Sequence, residues 1–573
     1  MKQILFPAVL FFGFLGAALV GIAQDHTVVP TLRVPTLVPA AAPQAPADAL
    51  LTTSSIAQIA ENGELRAGVL FNDPPYSELS LQGDLRGFDV DVLRLVAETW
   101  DVDLKLVQVT RQNAIDRLEI GDVHLVASAL VHYRELGDQV EFTQTYLTGG
   151  QALMVRANSA YASPLSLVDR KIGFVLGTRA ETALGHWEAR LEVALDKAHY
   201  FTLDKAMAAL SRGDVEAIIA EEQDLLQVSH EFSDEFRILE EPVLVEPHAL
   251  AVKRQDASLR NLLNRSIQYL IDGGQLEVLL REYFPGRDFH DEIAYIWENL
   301  GDRPNPGQFP TEISYPASYA IPRMLQSGIL RVGGSIDDAR PNGQRERHLV
   351  RLNRDLVAEI ARRWGVSVEW VAGEPGTEFS LLRNGELDLV VGVVPDWRWA
   401  DKVDYAAPYL LHGDRLMVPA NSRISGFNDL RGQWIGIMID DETARDRAQA
   451  WADSINASAQ FYQTRPAEAA LNILEFDNAD AIYADSLALI SHLEASPNSL
   501  KLTDRWYSRS YHAFAVRQND PDFRLLVEFT VQELIIDGTL RRLSAPLLGS
   551  EESLAHFVVP GAPSFAGINL TGA

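Results

Sequence analysis

One unit of sequence occurs twice in this chain, and this repeat constrains the fold more than any other feature. Residues 91–100 match residues 355–364 at an offset of 264, and residues 248–252 match residues 512–516 at the same offset. A chance similarity between two helices would not keep one register over so long a distance. Because solenoid repeats run about 20 to 50 residues, a period of this length indicates two whole domains.

The repeat also sets the domain boundaries. We place the domains at 52–285 and 318–548, and we assign the interval 286–317, which is rich in Pro, Gly, Asp and Asn, as a linker. Residues 549–573 form a C-terminal tail. Helical and strand-like patterns alternate within each unit, so we predict an α/β fold with largely parallel sheets.

Each domain has an amphipathic helix at the matched position. Apolar residues recur at helical spacing in 91–100 and again in 355–364. Asp89 and Asn353 precede these segments, and their side chains are of the type that accepts the first free backbone N–H groups of a helix. We therefore predict that both residues cap their helices.

The N-terminus has the features of an export signal. A positive charge near the start precedes a long apolar run, and small residues suit cleavage after Ala23. Residues 1–23 are thus predicted as a signal peptide, and the Pro- and Ala-rich residues 24–51 as a linker. The alternative is an uncleaved anchor, because a bilayer is spanned by about 20 apolar residues. Both interpretations place the remainder outside the cytoplasm, and we predict a periplasmic protein.

Composition excludes several function classes. The formal net charge is −29 and no run of Lys and Arg occurs, so nucleic acid is excluded as a partner. The chain has no cysteine, which removes disulfides, thiolate metal sites and cysteine nucleophiles. No His-Glu-x-x-His motif, Gly-x-Ser-x-Gly motif or phosphate-binding glycine loop occurs. We expect no catalytic residue, no metal and no cofactor, and thus no enzyme.

A series of short motifs in the first domain carries a family resemblance. In chain order they are Leu65-Arg66-Ala67-Gly68-Val69, Asp73-Pro74-Pro75-Tyr76-Ser77, Gly87-Phe88-Asp89-Val90-Asp91, Glu141-Phe142-Thr143, and Ile172-Gly173-Phe174 with Gly177-Thr178. In order and spacing the series resembles family 3 of the bacterial extracellular solute-binding proteins, the polar-amino-acid branch of the type II periplasmic binding proteins. The resemblance covers nearly all of both domains, which indicates two tandem copies.

The resemblance implies the architecture of each copy. In that family two α/β lobes, each with a central mixed and mostly parallel sheet, are joined by two crossover strands and close over a small solute. The paired segments 151–158 with 248–255, and 414–421 with 511–518, are similar to those crossovers.

The resemblance also implies ligand-binding residues for a free amino acid. The planar fork of an Arg suits the carboxylate, and an acid suits the ammonium. Arg134 and its counterpart Arg398 match the family's carboxylate-binding Arg, and Glu221 and Asp485 match its ammonium-binding acid. Further ligand contacts are expected from Asp73, Tyr76, Ser128 and Thr178 in the first domain and from Asp337, Trp397 and Asp441 in the second.

The two pockets are not expected to bind the same solute. Gly177-Thr178 resembles the family's anion-binding turn at a helix N-terminus, whereas the second domain has Asp440-Asp441 there, which would repel a carboxylate. Trp397 flanks Arg398 and could stack on a ligand, and the alternative for it is ordinary packing in the core.

These features lead to one expected function and two alternatives. We expect an extracytoplasmic solute-binding protein that binds an amino acid or related carboxylate by lobe closure and delivers it to an ABC permease. The first alternative is a flytrap that senses its ligand and signals to another membrane partner. The second is an enzyme similar to cyclohexadienyl dehydratases, in which a buried Glu221 acts as general acid. The sequence does not name the solute or say whether both pockets work.

Overall fold

The structure is a computed structural model that describes residues 53–127, 130–132, 136–285, 295–336, 344–371, 376–438, 444–456, 460–464, 479–495 and 498–548. The predicted signal peptide 1–23, the linker 24–51 and the tail 549–573 lie outside these segments. Within them, no helix is both long enough and apolar enough to cross a membrane.

Strands and helices alternate along the first repeat, as the sequence predicts. In chain order the described elements are α1 (Ser55–Asn62), β1 (Glu64–Val69), β2 (Asn72–Asp73), β3 (Ser77–Leu79), β4 (Leu85–Arg86), α2 (Phe88–Trp100), β5 (Asp103–Gln108), α3 (Ala114–Glu119), β6 (Leu125–Val126), β7 (Val140–Phe142), β8 (Leu147–Arg156), β9 (Ile172–Val175), α4 (Arg179–Leu191), β10 (Lys197–Tyr200), α5 (Leu203–Arg212), β11 (Ala217–Glu221), α6 (Glu222–Glu231), β12 (Phe236–Ile238), β13 (Leu244–His248), β14 (Ala251–Lys253), α7 (Ala257–Asp272) and α8 (Gln275–Tyr283).

These elements form two lobes, each built on one sheet. Lobe A has the strand order β5-β1-β6-β14-β7, and lobe B has the order β10-β9-β11-β8-β12, with β13 also paired to β8. In lobe A, β14 runs antiparallel to both of its neighbours, and in lobe B, β8 does the same. The strand pairs on the other side of each sheet are parallel. In each sheet one strand, β14 or β8, therefore runs against all the others, so both sheets are mixed.

The second repeat has the same succession. Its described elements are α9 (Ala320–Ser327), β15 (Ile329–Gly334), α10 (Gln344–Trp364), β16 (Ser367–Trp370), α11 (Glu378–Asn384), β17 (Leu389–Val393), β18 (Val403–Tyr405), β19 (Leu410–His412), β20 (Asp414–Pro419), β21 (Trp434–Met438), α12 (Ala444–Ser454), β22 (Gln460–Thr464), β23 (Ala481–Asp485), α13 (Ser486–Ala495), β24 (Leu500–Leu502), β25 (Ser510–Arg517), α14 (Pro521–Ile536) and α15 (Thr539–Leu548).

The two repeats share one topology. The sheets of the second repeat have the orders β16-β15-β17-β25-β18 and β22-β21-β23-β20-β24. Strand for strand, these orders correspond to lobes A and B of the first repeat. The prediction of two α/β units with one fold is confirmed.

Helix α2 shows how the repeated pattern builds a core. Val96 and Trp100 lie one turn apart and are at most 4% exposed. The indole Nε1–H of Trp100 donates a hydrogen bond to Ser266 Oγ on α7 at 2.8 Å. In α10 the matching Trp364 donates to Thr530 Oγ1 on α14 at 2.9 Å. The repeat therefore extends from the apolar pattern to an individual buried hydrogen bond.

The prediction that Asp89 and Asn353 cap their helices is wrong. Helices α2 and α10 both begin before these residues, so both side chains project from inside a helix. Asp89 Oδ1 accepts a hydrogen bond from Tyr146 OH at 2.8 Å, and Asn353 Oδ1 accepts one from Tyr409 OH at 2.6 Å. All four side chains are buried. Each short polar residue thus anchors a crossover tyrosine to lobe A instead of capping a helix.

Two crossover connections join the lobes of each repeat; the return connection lies within the predicted segments 248–255 and 511–518, but the first connection lies earlier than predicted. The chain leaves lobe A after β7 to enter β8, and it returns from β13 to β14. The connections pair where Thr143 N donates to Leu250 O at 2.9 Å and Tyr146 N donates to His248 O at 3.0 Å. The predicted segment 151–158 begins inside lobe B, because β8 continues from the crossing into that sheet without a break. The same correction applies to β20 in the second repeat.

The described part of the predicted linker, residues 295–317, packs between the repeats. The Trp297 ring stacks on Trp397 with ring centroids 4.3 Å apart. The Gln268 side-chain oxygen accepts from the Trp297 backbone N–H at 2.9 Å and from Trp397 Nε1 at 2.8 Å. Its Pro- and Gly-rich composition therefore accompanies an ordered path rather than a free tether.

A buried charge cluster joins lobe A of the first repeat to lobe A of the second. Arg260 on α7 forms an ion pair with Glu141 of its own repeat and reaches Asp404 of the other repeat at 2.5 Å. Arg524 on α14 reaches Glu141 at 3.4 Å. Arg260 and Arg524 are matched positions, as are Glu141 and Asp404. Each Arg thus contacts the acid of the other repeat, which gives the contact local pseudo-twofold symmetry.

Candidate functional site

Polar side chains from both lobes of the first repeat meet beside the crossovers. Lobe A contributes the end of β2 and the turn after it. Lobe B contributes the first residue of α4, the last residue of β11, and residues of β8 and β13. We call this group the cross-lobe cluster, and its members are Asp73, Tyr76, Gln151, Arg179, Glu221 and Glu246.

An ion pair between the lobes forms one half of the cross-lobe cluster. Arg179 Nη2 lies 2.6 Å from Asp73 Oδ2, and Arg111 Nη2 lies 3.0 Å from Asp73 Oδ1. The Arg179 side chain is only 10% exposed, and its Nη1 lies 3.9 Å from Glu246 Oε2. Although burial alone would lower the pKa of Arg179, Glu246 and Asp73 raise that pKa well above its usual range. Arg179 is a fixed cation between acids of both lobes.

A hydrogen bond between the lobes forms the other half. Tyr76 OH donates to Glu221 Oε1 at 2.7 Å, and Gln151 Nε2 donates to Glu221 Oε2 at 2.5 Å. The Tyr76 ring stacks on His248, with ring centroids 4.4 Å apart, and the Arg179 guanidinium carbon lies 5.1 Å from the Tyr76 ring centroid. Tyr76 therefore lies between the cation and the acid of lobe B.

Electrostatics set Glu221 apart from an ordinary carboxylate. Burial, together with the nearby charge of Glu246, raises the pKa of Glu221 to about 8. The charge of Arg179 and the hydrogen bond from Tyr76 act in the opposite direction. Burial also raises the pKa of Tyr76 well above its usual value. Glu221 thus keeps its proton at neutral pH and can release it when a cation arrives.

A second acid with a raised pKa lies in lobe A. Asp89 is fully buried, and burial raises its pKa to about 7, although the hydrogen bond from Tyr146 lowers it. The charge of Asp73 contributes to the rise. The cross-lobe cluster and Asp89 are thus electrostatically connected.

The structure brings together three of the residues that the sequence predicts for the first pocket. Asp73, Tyr76 and Glu221 are members of the cross-lobe cluster. Thr178 is exposed at the N-terminus of α4, where its Oγ1 donates to Val175 O at 2.8 Å and so bonds within its own turn. Ser128 and Arg134 lie outside the described residues.

The described members of the residues predicted for the second pocket contact different partners. Asp485 is close to His412, with its Oδ2 2.6 Å from the ring Nδ1. Trp397 is buried between the repeats, so the core-packing alternative describes its position and the ligand-stacking prediction does not. The Arg398 side chain is 68% exposed and pairs with Asp396. Asp337 and Asp441 lie outside the described residues.

Sequence reasoning missed Arg179, Gln151 and Glu246. Arg179 directly follows Gly177-Thr178, the predicted anion-binding turn, and this adjacency was the available signal. Gln151 and Glu246 lie on the paired strands β8 and β13, two residues out of register, with Gln151 Nε2 3.1 Å from Glu246 Oε2. Both are polar residues within largely apolar strands, which could have indicated a functional role, but no spacing rule linked either of them to Glu221. The described residues contain no group of three or more His, Asp or Glu that could hold a metal ion.

Comparisons with known proteins agree with this architecture. The sequence model of the bacterial extracellular solute-binding proteins, family 3, matches residues 65–286 and 334–550. The glutamine-binding protein GlnH of an ABC transporter in Bacillus subtilis is 24% identical over 204 residues, which are 35% of this chain and 73% of that protein. The L-arginine-binding protein of Pseudomonas aeruginosa is 23% identical over 243 residues, which are 41% of this chain and 93% of that protein.

One solved structure also matches part of this chain. The cysteine-binding protein from Campylobacter jejuni is 20% identical, and the match covers 42% of this chain and 97% of that one with a TM-score of 0.34. The family match extends over most of the chain and coincides with the two repeats. This chain belongs to the bacterial extracellular solute-binding proteins, family 3, and carries two copies of that unit in tandem.

Proposed function

We propose that this protein is an exported receptor that binds an amino acid in its first repeat and presents it to an ABC permease. The cross-lobe cluster carries the proposal, because Asp73 and Tyr76 of lobe A meet Arg179 and Glu221 of lobe B. A fixed cation and a buried acid a few ångströms apart match the two charges of a free amino acid. Relatives that bind glutamine and L-arginine support the solute class.

Binding would exchange contacts between the lobes for contacts to the solute. The solute carboxylate would bind Arg179, with Arg134, Ser128 and Thr178 as further proposed donors, and the ammonium would bind Glu221. Such an exchange lets the solute stabilise the closed form, because it interacts with both lobes only there. A membrane permease can then distinguish loaded from empty receptor by the lobe arrangement.

Isothermal titration of the mature protein against amino acids tests this function. We expect micromolar binding that is lost in Arg179→Ala. Arg281→Ala is the matched control, because Arg281 is 69% exposed on α8 and pairs with Glu277. Absence of binding for every amino acid tested, or undiminished binding by Arg179→Ala, would refute the amino-acid site.

Export and delivery require their own test. We propose that residues 1–23 are removed on export and that residues 24–51 are a tether at the N-terminus of the mature protein. The two solute-binding domains are proposed to be residues 52–285 and 318–548. Sequencing the N-terminus of protein from the periplasm checks this directly. An intact N-terminus in the membrane fraction would favour the sensing alternative, in which the partner is another membrane protein.

The raised pKa of Glu221 supports an enzyme as the second candidate function. Glu221 has a pKa of about 8 and is hydrogen-bonded by Tyr76, so it can donate a proton at neutral pH. Turnover of prephenate or arogenate that disappears in Glu221→Gln would establish a dehydratase. We propose binding rather than catalysis, because the cross-lobe cluster offers a partner to each of the two opposite charges of an amino acid. A dehydratase would need only a proton donor at one leaving group.

A further inference from the structure

Gly149 of the first repeat is matched by His412 in the second repeat. Gly149 is the third residue of β8 and lies opposite Glu246, and His412 is the third residue of β19 and lies opposite Ser510. A Cβ at Gly149 would lie 3.0 Å from His248 Nε2, 3.0 Å from Tyr76 OH and 3.3 Å from Glu221 Oε1. In the first repeat a side chain at this position would therefore crowd Tyr76, His248 and Glu221, which would have to shift to admit it.

In the second repeat a histidine side chain fills this position. His412 Nδ1 lies 2.6 Å from Asp485 Oδ2, and His412 Nε2 lies 3.1 Å from His512 Nε2. Asp485 and His512 are the counterparts of Glu221 and His248, at the same offset of 264. The second carboxylate oxygen, Asp485 Oδ1, accepts from the Leu487 backbone N–H at 3.0 Å. Both oxygens of Asp485 are thus hydrogen-bonded from within the chain.

The chemistry of this contact fixes the role of the ring. A carboxylate only accepts hydrogen bonds, so His412 donates through Nδ1–H. The facing Nε2 atoms of His412 and His512 then share one proton between them. His412 presents to Asp485 the same kind of group, a nitrogen that carries hydrogen, that a solute ammonium would present to Glu221.

A second acid of this repeat is also internally satisfied. Asp414 occupies the position of Gln151, which bonds to Glu221 in the first repeat. Asp414 Oδ2 instead lies 2.6 Å from Arg447 Nε and accepts from Tyr483 OH at 2.9 Å. Gln151 thus bonds to the site acid Glu221 in the first repeat, whereas Asp414 at the matched position bonds to Arg447 and Tyr483 in the second.

We propose that His412 is a built-in substitute for the ammonium group in the second repeat, so that this repeat binds no free amino acid and the protein takes up one solute per chain. The inference rests on the proposed function only for the statement that the first repeat binds an amino acid. The contact between His412 and Asp485 stands apart from it.

Two measurements on the full mature chain test the proposal. The first is the stoichiometry of amino-acid titration, for which we expect one site that survives in Asp485→Asn and is lost in Arg179→Ala. Two sites, one of them lost in Asp485→Asn, would overturn the inference. If no amino acid binds to any variant, the proposed function fails, and the second measurement still decides the inference.

The second measurement asks whether the space of His412 accepts a free ammonium ion. We expect millimolar methylammonium to raise the melting temperature of His412→Gly in a dose-dependent way, and not that of the wild type. The double variant His412→Gly with Asp485→Asn is the matched control and should not respond. If His412→Gly does not fold, His412→Ala serves in its place, since it removes the same ring. No response in the folded variant would overturn the proposal.

Discussion

At the scale of single residues, the two repeats place a buried acid, Asp89, and a neutral residue of similar shape, Asn353, at matched positions. Asp89 and Asn353 occupy matched positions and accept a hydrogen bond from matched tyrosines. Asp89 keeps its proton up to a pKa of about 7, whereas Asn353 has no proton to lose. An unfolded Asp titrates at about 3.9, so between these two pH values the native state of the first repeat holds one more proton than the unfolded state.

This difference predicts that Asp89→Asn stabilises the protein at alkaline pH. Because the native pKa is the higher one, the stability of the first repeat falls by about 1.4 kcal/mol per pH unit between the two values. Asp89→Asn removes that fall, so the variant should melt above the wild type at pH 8 and match it near pH 4. Melting curves across that range check this. Asn353→Asp should show the converse loss, and a lower melting temperature of Asp89→Asn at pH 8 would contradict the argument.

Glu221 predicts a proton signal on solute binding. Its pKa of about 8 means that the free protein holds this proton at pH 7. An ammonium group bound beside Glu221 favours the charged carboxylate, so binding at pH 7 should release about one proton. Titration in two buffers of different ionisation enthalpy measures that number. Glu221→Gln should release none, and equal release by both proteins would place the proton elsewhere.

The sequence predicts site residues where the family motif and local geometry coincide. Tyr76 and Glu221 were predicted by position and lie in hydrogen-bond contact. Arg179 was missed because its partner Asp73 is 106 residues away in the other lobe. Contacts between lobes depend on how two separate sheets close, and no periodicity within one element encodes that.

At the scale of elements, one buried hydrogen bond joins the same two helices in both repeats. Trp100 on α2 donates to Ser266 on α7, and Trp364 on α10 donates to Thr530 on α14. Ser266→Ala would leave the buried indole N–H without this acceptor, which costs about 1 to 3 kcal/mol. Ser266→Thr keeps the oxygen, as the second repeat does, and should remain near wild type. Chemical denaturation of both variants checks the pair, and equal stabilities would contradict the role of the bond.

Element identity was more predictable than element boundaries. The strand and helix pattern predicted both repeats, because apolar spacing directly reflects which face of an element is buried. The first crossover of each pair was placed several residues late, since β8 continues from the crossing into lobe B without a break. Asp89 was assigned as a cap because its residue type suits one, whereas the glycine before the helix, Gly87, takes the N-cap position.

At the scale of the whole molecule, the repeat was predictable and the contact between repeats was not. Two domains follow from the constant offset, but nothing in the offset says that they touch. The interval 286–317 was predicted as a linker from its Pro and Gly content, whereas Trp297 within it is buried against Trp397. Arg260 and Asp404 resemble ordinary surface charges in the sequence, and only the fold shows that they pair across the boundary between the repeats.

The buried charge cluster predicts that the two repeats unfold as one unit. Arg260 contacts both Glu141 and Asp404, whose carboxylates are each 1% exposed. These acids raise the pKa of Arg260 against the effect of burial, so the guanidinium stays charged. Removing one partner from a buried ion pair costs about 3 to 5 kcal/mol, because the other charge is left without compensation.

Arg260→Ala should therefore lower the melting temperature and split a single calorimetric transition into two, since the repeats lose the ion that links both acids. Arg281→Ala, on the exposed face of α8, is the control and should leave the transition single. The triple variant Arg260→Met, Glu141→Gln, Asp404→Asn should be more stable than Arg260→Ala. In the triple variant the loss of Arg260 leaves no buried acid without its partner. A single unshifted transition in Arg260→Ala would mean that the contacts left in the variant, among them Arg524 with Glu141 and Trp297 with Trp397, are enough to hold the repeats together.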